Sequence, residues 1–85
     1  MTTTRAHETV FSVTYDTERR ARIVADALGP EVGEIDDARS TAAVDREGDA
    51  VRVRVAADDL VALRAGVNSW SRLVAVAERV GALDG

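Results

Sequence analysis

Ala50-Val51-Arg52-Val53-Arg54-Val55-Ala56-Ala57-Asp58-Asp59-Leu60-Val61-Ala62-Leu63 decides the fold, because its hydrophobic period changes within fourteen residues. From Ala50 to Ala56, Val51, Val53 and Val55 alternate with Arg52 and Arg54, the two-residue period of a half-buried strand. Asp58-Asp59 then supplies helix N-cap chemistry, and from Leu60 the apolar residues recur every three or four positions. A strand passes directly into a long helix that runs to about Val80, with Gly81 just past the last periodic residue as its expected stop.

Working back from this stretch, Glu47-Gly48-Asp49 is a short break of the length that closes a hairpin, and Ser40 to Arg46 is the weaker, Ala-rich strand that precedes it. Glu31 to Ala38 holds four acids and Gly33 without periodicity, so it is a solvated connection. Before it, Asp16-Thr17 caps a helix over Glu18 to Leu28, stopped by Gly29-Pro30. The chain opens with a strand from His7 to Tyr15, with Thr9, Phe11, Val13 and Tyr15 on one face and Glu8, Val10, Ser12 and Thr14 on the other. The order strand, helix, strand, strand, helix gives an α+β fold: a three-stranded antiparallel sheet in the order one, three, two, with both helices on one face. The arrangement is ferredoxin-like without its last strand, which leaves the edge of the first strand unpaired.

Eighty-five residues make one domain, residues 1–85, and the core is thin: 15 Ala and 13 Val leave only 11 larger apolar side chains. Thin cores are commonly completed by oligomerisation, so a partner surface is expected. Fifteen acids oppose 11 bases, all of them Arg, for a net charge of −4. An acidic, Ala/Val-rich, Lys-free composition resembles that of salt-adapted proteins and argues against a free-standing nucleic-acid binder, which should be basic. Residues 1–49 hold 11 acids and 6 Arg, and residues 50–85 hold 4 acids and 5 Arg, so an RNA contact would lie in the second half. Without Cys there is no thiolate chemistry. With no apolar leader or span, no membrane association is expected, and the cytosol is the expected location.

The last helix has more apolar surface than one sheet can bury. Leu60, Leu63, Val67, Trp70, Val74 and Ala77 form one stripe, and Gly66, Ser69, Leu73, Val76 and Val80 form a second on an adjacent face. Small residues at 62, 65, 66 and 69 permit close helix approach. Two outcomes are open at this level: the first helix buries the second stripe, or another protein docks on it. Arg64, Asn68, Ser71, Arg72 and Arg79 share the polar side, to be solvated, salt-bridged to a partner or laid on RNA phosphate.

Catalysis and cofactors are not expected. His7 is the single imidazole, so neither a nucleophilic triad nor a His-based metal site can be assembled. The pairs Asp36-Asp37 and Asp58-Asp59 are adjacent residues whose side chains point apart, and capping accounts for the second pair. No phosphate-binding glycine loop is present, and three aromatic rings do not make a base-stacking platform. What remains is a binding or assembly protein.

The run Asp58-Asp-Leu-Val-Ala-Leu-Arg64-Ala-Gly-Val-Asn68-Ser69-Trp70-Ser-Arg72, with the Arg39-Ser40 pair entering the second strand, resembles the Pcc-type small subunit of the KEOPS complex over nearly the whole chain. The resemblance implies an archaeal, non-catalytic dimerisation subunit of the machinery that places a threonylcarbamoyl group on tRNA adenosine. In that family the helices pack against the threonylcarbamoyl transferase subunit, and the small subunit pairs with itself or with a paralogue. Carried onto this chain, the transferase-docking positions are Leu63, Gly66, Val67, Trp70, Leu73 and Val74, with Arg64, Asn68 and Arg72 as polar contacts. Arg52, Arg54 and Arg72 are candidate tRNA contacts within the assembled complex. Gly66 departs from the larger residue expected inside the motif. A stand-alone RNA-binding domain and an orphan homodimeric scaffold are the competing possibilities.

Overall fold

The structure, a computed structural model, describes residues 6–33 and 39–84. Its elements are strand β1 (His7–Thr14), helix α1 (Glu18–Leu28), a 3₁₀ turn (Gly29–Glu31), strands β2 (Ser40–Glu47) and β3 (Ala50–Ala57), and helix α2 (Leu60–Asp84). The sheet is antiparallel in the order β1-β3-β2, with Phe11 opposite Val53 on one side and Val44 opposite Val53 on the other. The fold class, strand order and helix placement are those the sequence implies.

The central strand organises the rest. Val51, Val53, Val55 and Ala57 of β3 are fully buried, and both helices pack on this side of the sheet. Ala21, Val24 and Leu28 of α1 meet Trp70, Val74 and Ala77 of α2 above it, with Phe11, Val13, Ala42 and Val44 closing the sides. Trp70 is 1% exposed and is the largest fully buried side chain, so much of this small core hangs on one indole. β2 is held less by its own propensity than by β3, which pairs with it from Ser40 opposite Ala57 to Glu47 opposite Ala50. That register leaves a two-residue hairpin loop. Gly48 has φ 59° and, among the described residues, no non-Gly residue has positive φ, as a II′-type loop with Gly first requires.

α1 ends at Leu28, as its sequence implies, and the end of α2 differs from expectation. Gly29 stays right-handed, at φ −50° and ψ −52°, and Pro30 continues the chain into the 3₁₀ turn, where Val32 N donates to Gly29 O at 3.1 Å. α2 does not stop at Gly81 but runs on to Asp84, because Gly81 stays right-handed and helical. The caps are made by single side chains. Thr17 accepts from Arg20 N at 3.0 Å, and Asp59, not Asp58, accepts from Ala62 N at 2.8 Å. Of the acidic connection from Glu31 to Ala38, residues 34–38 lie outside the described residues, as does the Asp36-Asp37 pair.

Candidate protein interaction surfaces

α2 carries all nine positions assigned to partner docking, and its seating on the sheet sorts them. Trp70 and Val74 are buried in the core. Leu63, Val67 and Leu73 are half-buried and packed against that core. Gly66 faces the sheet: a Cβ there would come within 2.8 Å of Val55 Cγ1, so the glycine lets the helix backbone sit close to β3. Arg64, Asn68 and Arg72 are exposed. The apparent anomaly in the motif is therefore a packing requirement of this chain's own fold.

At 100° per residue the remaining side chains divide into two flanks. Toward β1 lie Leu60, Leu63, Arg64, Val67 and Glu78. Leu63, Arg64, Val67 and Asn68 join Thr9 around a groove of about 310 Å³. At the far end of this flank the Tyr15 hydroxyl donates to Glu78 Oε2 at 2.9 Å. Burial first, then that bond and the carboxylate's charge, push the Tyr15 phenol well above its ordinary value of 10.0. Toward β2 and α1 lie Val61, Ala65, Ser69, Arg72, Val76 and Val80, with a smaller hollow of about 170 Å³ beside Arg39 and Ser40. Arg39 Nη2 reaches both Asp59 oxygens, at 2.9 and 2.8 Å. The Ala62 N–H bond and then Arg39 hold the Asp59 carboxyl below its ordinary 3.8.

Four of the exposed large apolar side chains belong to α2: Val61 at 71%, Leu60 at 53%, Val76 at 52% and Val80 at 49%. The helical spacing flagged Val76 and Val80 but placed Leu60 inward and passed over Val61. Both sit in the first turn after the Asp59 cap. The location of the cap, which the sequence does show, is the signal that could have found them.

The three arginines considered for tRNA do not form one patch. Arg52 and Arg54 stand on the uncovered face of the sheet, Arg52 with Nε 2.9 Å from Asp45 Oδ1 and Arg54 with Nε 3.7 Å from Glu8 Oε1. Arg72 is on α2, across the sheet from them. A shallow hollow of about 290 Å³ on the open face is lined by Val10, Ala43, Val44, Asp45, Arg52 and Arg54, so each cation there has a carboxylate beside it. Among the described residues no three His, Cys, Asp or Glu side chains gather around a single ion position. Among them, too, no helix is long and apolar enough to cross a membrane.

A two-layer domain with a capped long helix, paired surface charges and apolar flanks has the features of a small assembly module. Residues 8–81 match the profile of the family described as transcription factor Pcc1, and the chain belongs to that Pcc1 family. It is in this sense a KEOPS-associated subunit. Its fold is also that of a solved structure, the crystal structure of the binary complex Gon7-Pcc1, with a TM-score of 0.77 and 25% identity over 93% of this chain and 94% of the other. No curated protein matches the chain.

Proposed function

We propose that this chain is the non-catalytic dimerisation and scaffolding subunit of a cytoplasmic, salt-adapted archaeal KEOPS complex. It holds the threonylcarbamoyl transferase subunit in place for threonylcarbamoyladenosine modification of tRNA, and it pairs with a second copy or a paralogue. The observation that carries this reading is the apolar surface left over on α2 after α1 and the sheet have been covered: Val61, Val76 and Val80 remain open, interleaved with Arg72 and half-buried Leu73. Solvent-facing valines at helical spacing suit a second helix better than water. That the related Pcc1 was solved together with Gon7 supports a role in binary assembly.

The docking surface is the outer side of α2 around Arg72, Leu73, Val76 and Val80, with Asn68 at its margin. Trp70 and Val74 support it from beneath. Light scattering during size exclusion, in molar salt, of this protein mixed with its own transferase is the test. We expect co-elution for the wild type and its loss for Val76→Asp, which would place a charge inside an apolar contact while leaving the core untouched. A folded Val76→Asp protein that still co-elutes would reject this surface, and a wild type that ignores the transferase would reject the function. The stand-alone RNA-binding alternative requires salt-sensitive tRNA affinity from the isolated protein, and the ion pairs of Arg52 and Arg54 weigh against it.

A further inference from the structure

We infer that the outward face of α2 is a cationic seat for an acidic amphipathic helix, and that the partner's carboxylates, beyond its apolar stripe, select it. This rests on the transferase-docking reading above and gives the partner's contact element its chemistry. Val61, Ala65, Asn68, Arg72, Val76 and Arg79 follow one another at steps of three and four, so they form one row along the helix, and all six are exposed. Trp70, Val74 and Ala77 are buried on the opposite side, so the row is turned away from the sheet, with Arg64 flanking it. From Leu60 to Val80 the helix carries one acid, Glu78, and that side chain is turned aside to accept from the Tyr15 hydroxyl. The charge along the row is therefore of one sign.

Elsewhere the arginines are neutralised within the chain. Arg52 is paired with Asp45, Arg54 with Glu8, Arg46 with Glu18, Arg20 with Asp16 and Arg39 with Asp59. The described arginines without a carboxylate partner are Arg22 on α1 and Arg64, Arg72 and Arg79 on α2, in a chain whose 15 acids outnumber its 11 bases. A phosphate backbone would use these cations and leave Val61, Val76 and Val80 wet, whereas an amphipathic helix uses both. Packing this face on the same face of a second copy would set arginine against arginine, so charge also excludes a homotypic contact here. Arg64, Arg72 and Arg79 are separated by about 12 and about 10 Å along the axis, which matches carboxylates placed about two turns apart on the facing helix. In molar salt the Debye length is about 3 Å, so the pairs act at contact and not by long-range steering.

The test has two arms. In the first, the amide NMR spectrum of the isotope-labelled protein, at the lowest salt in which it stays folded, is followed against two synthetic helices. They share one Ala/Leu stripe and differ only in the flanking residues, Glu in one and Lys in the other. We expect the Glu helix to shift the amides of Asn68, Arg72 and Arg79 and the Lys helix to leave them in place. Equal shifts with both, or none with either, overturn the assignment. It also fails if a tRNA transcript moves the row and the Glu helix does not, for the row is then a phosphate surface. In the second arm, titration calorimetry with the protein's own transferase compares the wild type with Arg72→Glu/Arg79→Glu and Arg72→Gln/Arg79→Gln, each checked for folding by circular dichroism. The charge reversal should weaken binding at least about tenfold, and by more than the neutral pair does. Thr41→Glu/Ala43→Glu, on the open face of the sheet, changes the net charge as much as the Gln pair and should bind as the wild type does. A folded Arg72→Glu/Arg79→Glu protein with wild-type affinity overturns the carboxylate assignment and leaves the docking reading standing. A wild type that ignores the transferase while the Glu helix still shifts the row rejects the transferase reading and upholds the acidic partner.

Discussion

The two edge strands have the same length and flank the same central strand, yet they solve different problems. β2 is poor in strand-forming side chains, pairs with β3 along its whole length, and ends in the charged run Asp45, Arg46 and Glu47. β1 is rich in them, alternates cleanly, and carries no charge between Glu8 and Asp16. The difference shows that intrinsic strand strength and solubility trade against each other, with charge placed on the strand meant to end the sheet.

The largest effect should come from the wall behind both edges. Trp70→Ala removes the most voluminous fully buried side chain from the layer that α1, α2 and β3 share, and aromatic deletions of this kind cost about 3–5 kcal/mol. For an 85-residue domain whose total stability is of the order of 5–15 kcal/mol, that leaves little or no folded protein at moderate urea. Both edges should be lost together in a single urea transition monitored by circular dichroism. A loss under about 1 kcal/mol would mean that the indole is not the centre of the core.

A smaller change should blur the comparison. Arg46→Thr takes the inward charge off β2 and replaces it with a strand former, removing the bonds to Glu18 and Gly48 O. The pair with Glu18 is partly exposed, so the stability of the single domain should shift by no more than roughly 1 kcal/mol. The expected change is in association: species larger than those of the wild type should appear by light scattering at high concentration. If Arg46→Thr stays at the wild-type size, the charge on β2 is not what keeps that edge single.

The comparison also explains how much could be read from the residues. The alternation of Val51, Val53 and Val55, the cap chemistry before Leu60 and the Gly-containing hairpin carried the strand order, because each is a local constraint with few solutions. The surplus apolar surface of α2 was legible as a quantity. Its division was not: whether Trp70 or Val76 faces a partner depends on how the helix is rotated and seated on the sheet. Here the close approach of Gly66 to Val55 accompanies that seating, a tertiary contact without a periodic signature. The continuation of α2 past Gly81 was missed because glycine permits a stop without requiring one.

The finest distinction between the edges lies in how each is tied to α2, and pH should separate the two ties. Arg39, leading into β2, is bonded to Asp59 at the start of α2, while Tyr15, leaving β1, is bonded to Glu78 near its far end. Asp59 is held below 3.8 in the folded protein, so its contribution is fully present above that unfolded value. It is lost as pH falls through the lower folded value. The Tyr15 phenol is raised above 10.0, so its contribution is fully present below pH 10 and is lost as pH rises toward the folded value. Asp59→Asn should therefore flatten part of the acid limb of the thermal-midpoint profile and leave the alkaline limb unchanged. Tyr15→Phe should do the converse, at a cost of roughly 1 kcal/mol near neutrality for the lost hydrogen bond. Each substitution should also raise amide exchange chiefly at its own edge, β2 for Asp59→Asn and β1 for Tyr15→Phe, measured by hydrogen exchange. Equal exchange at both edges in either variant would show that α2 transmits the change along its whole length and that the two edges are not independently tied.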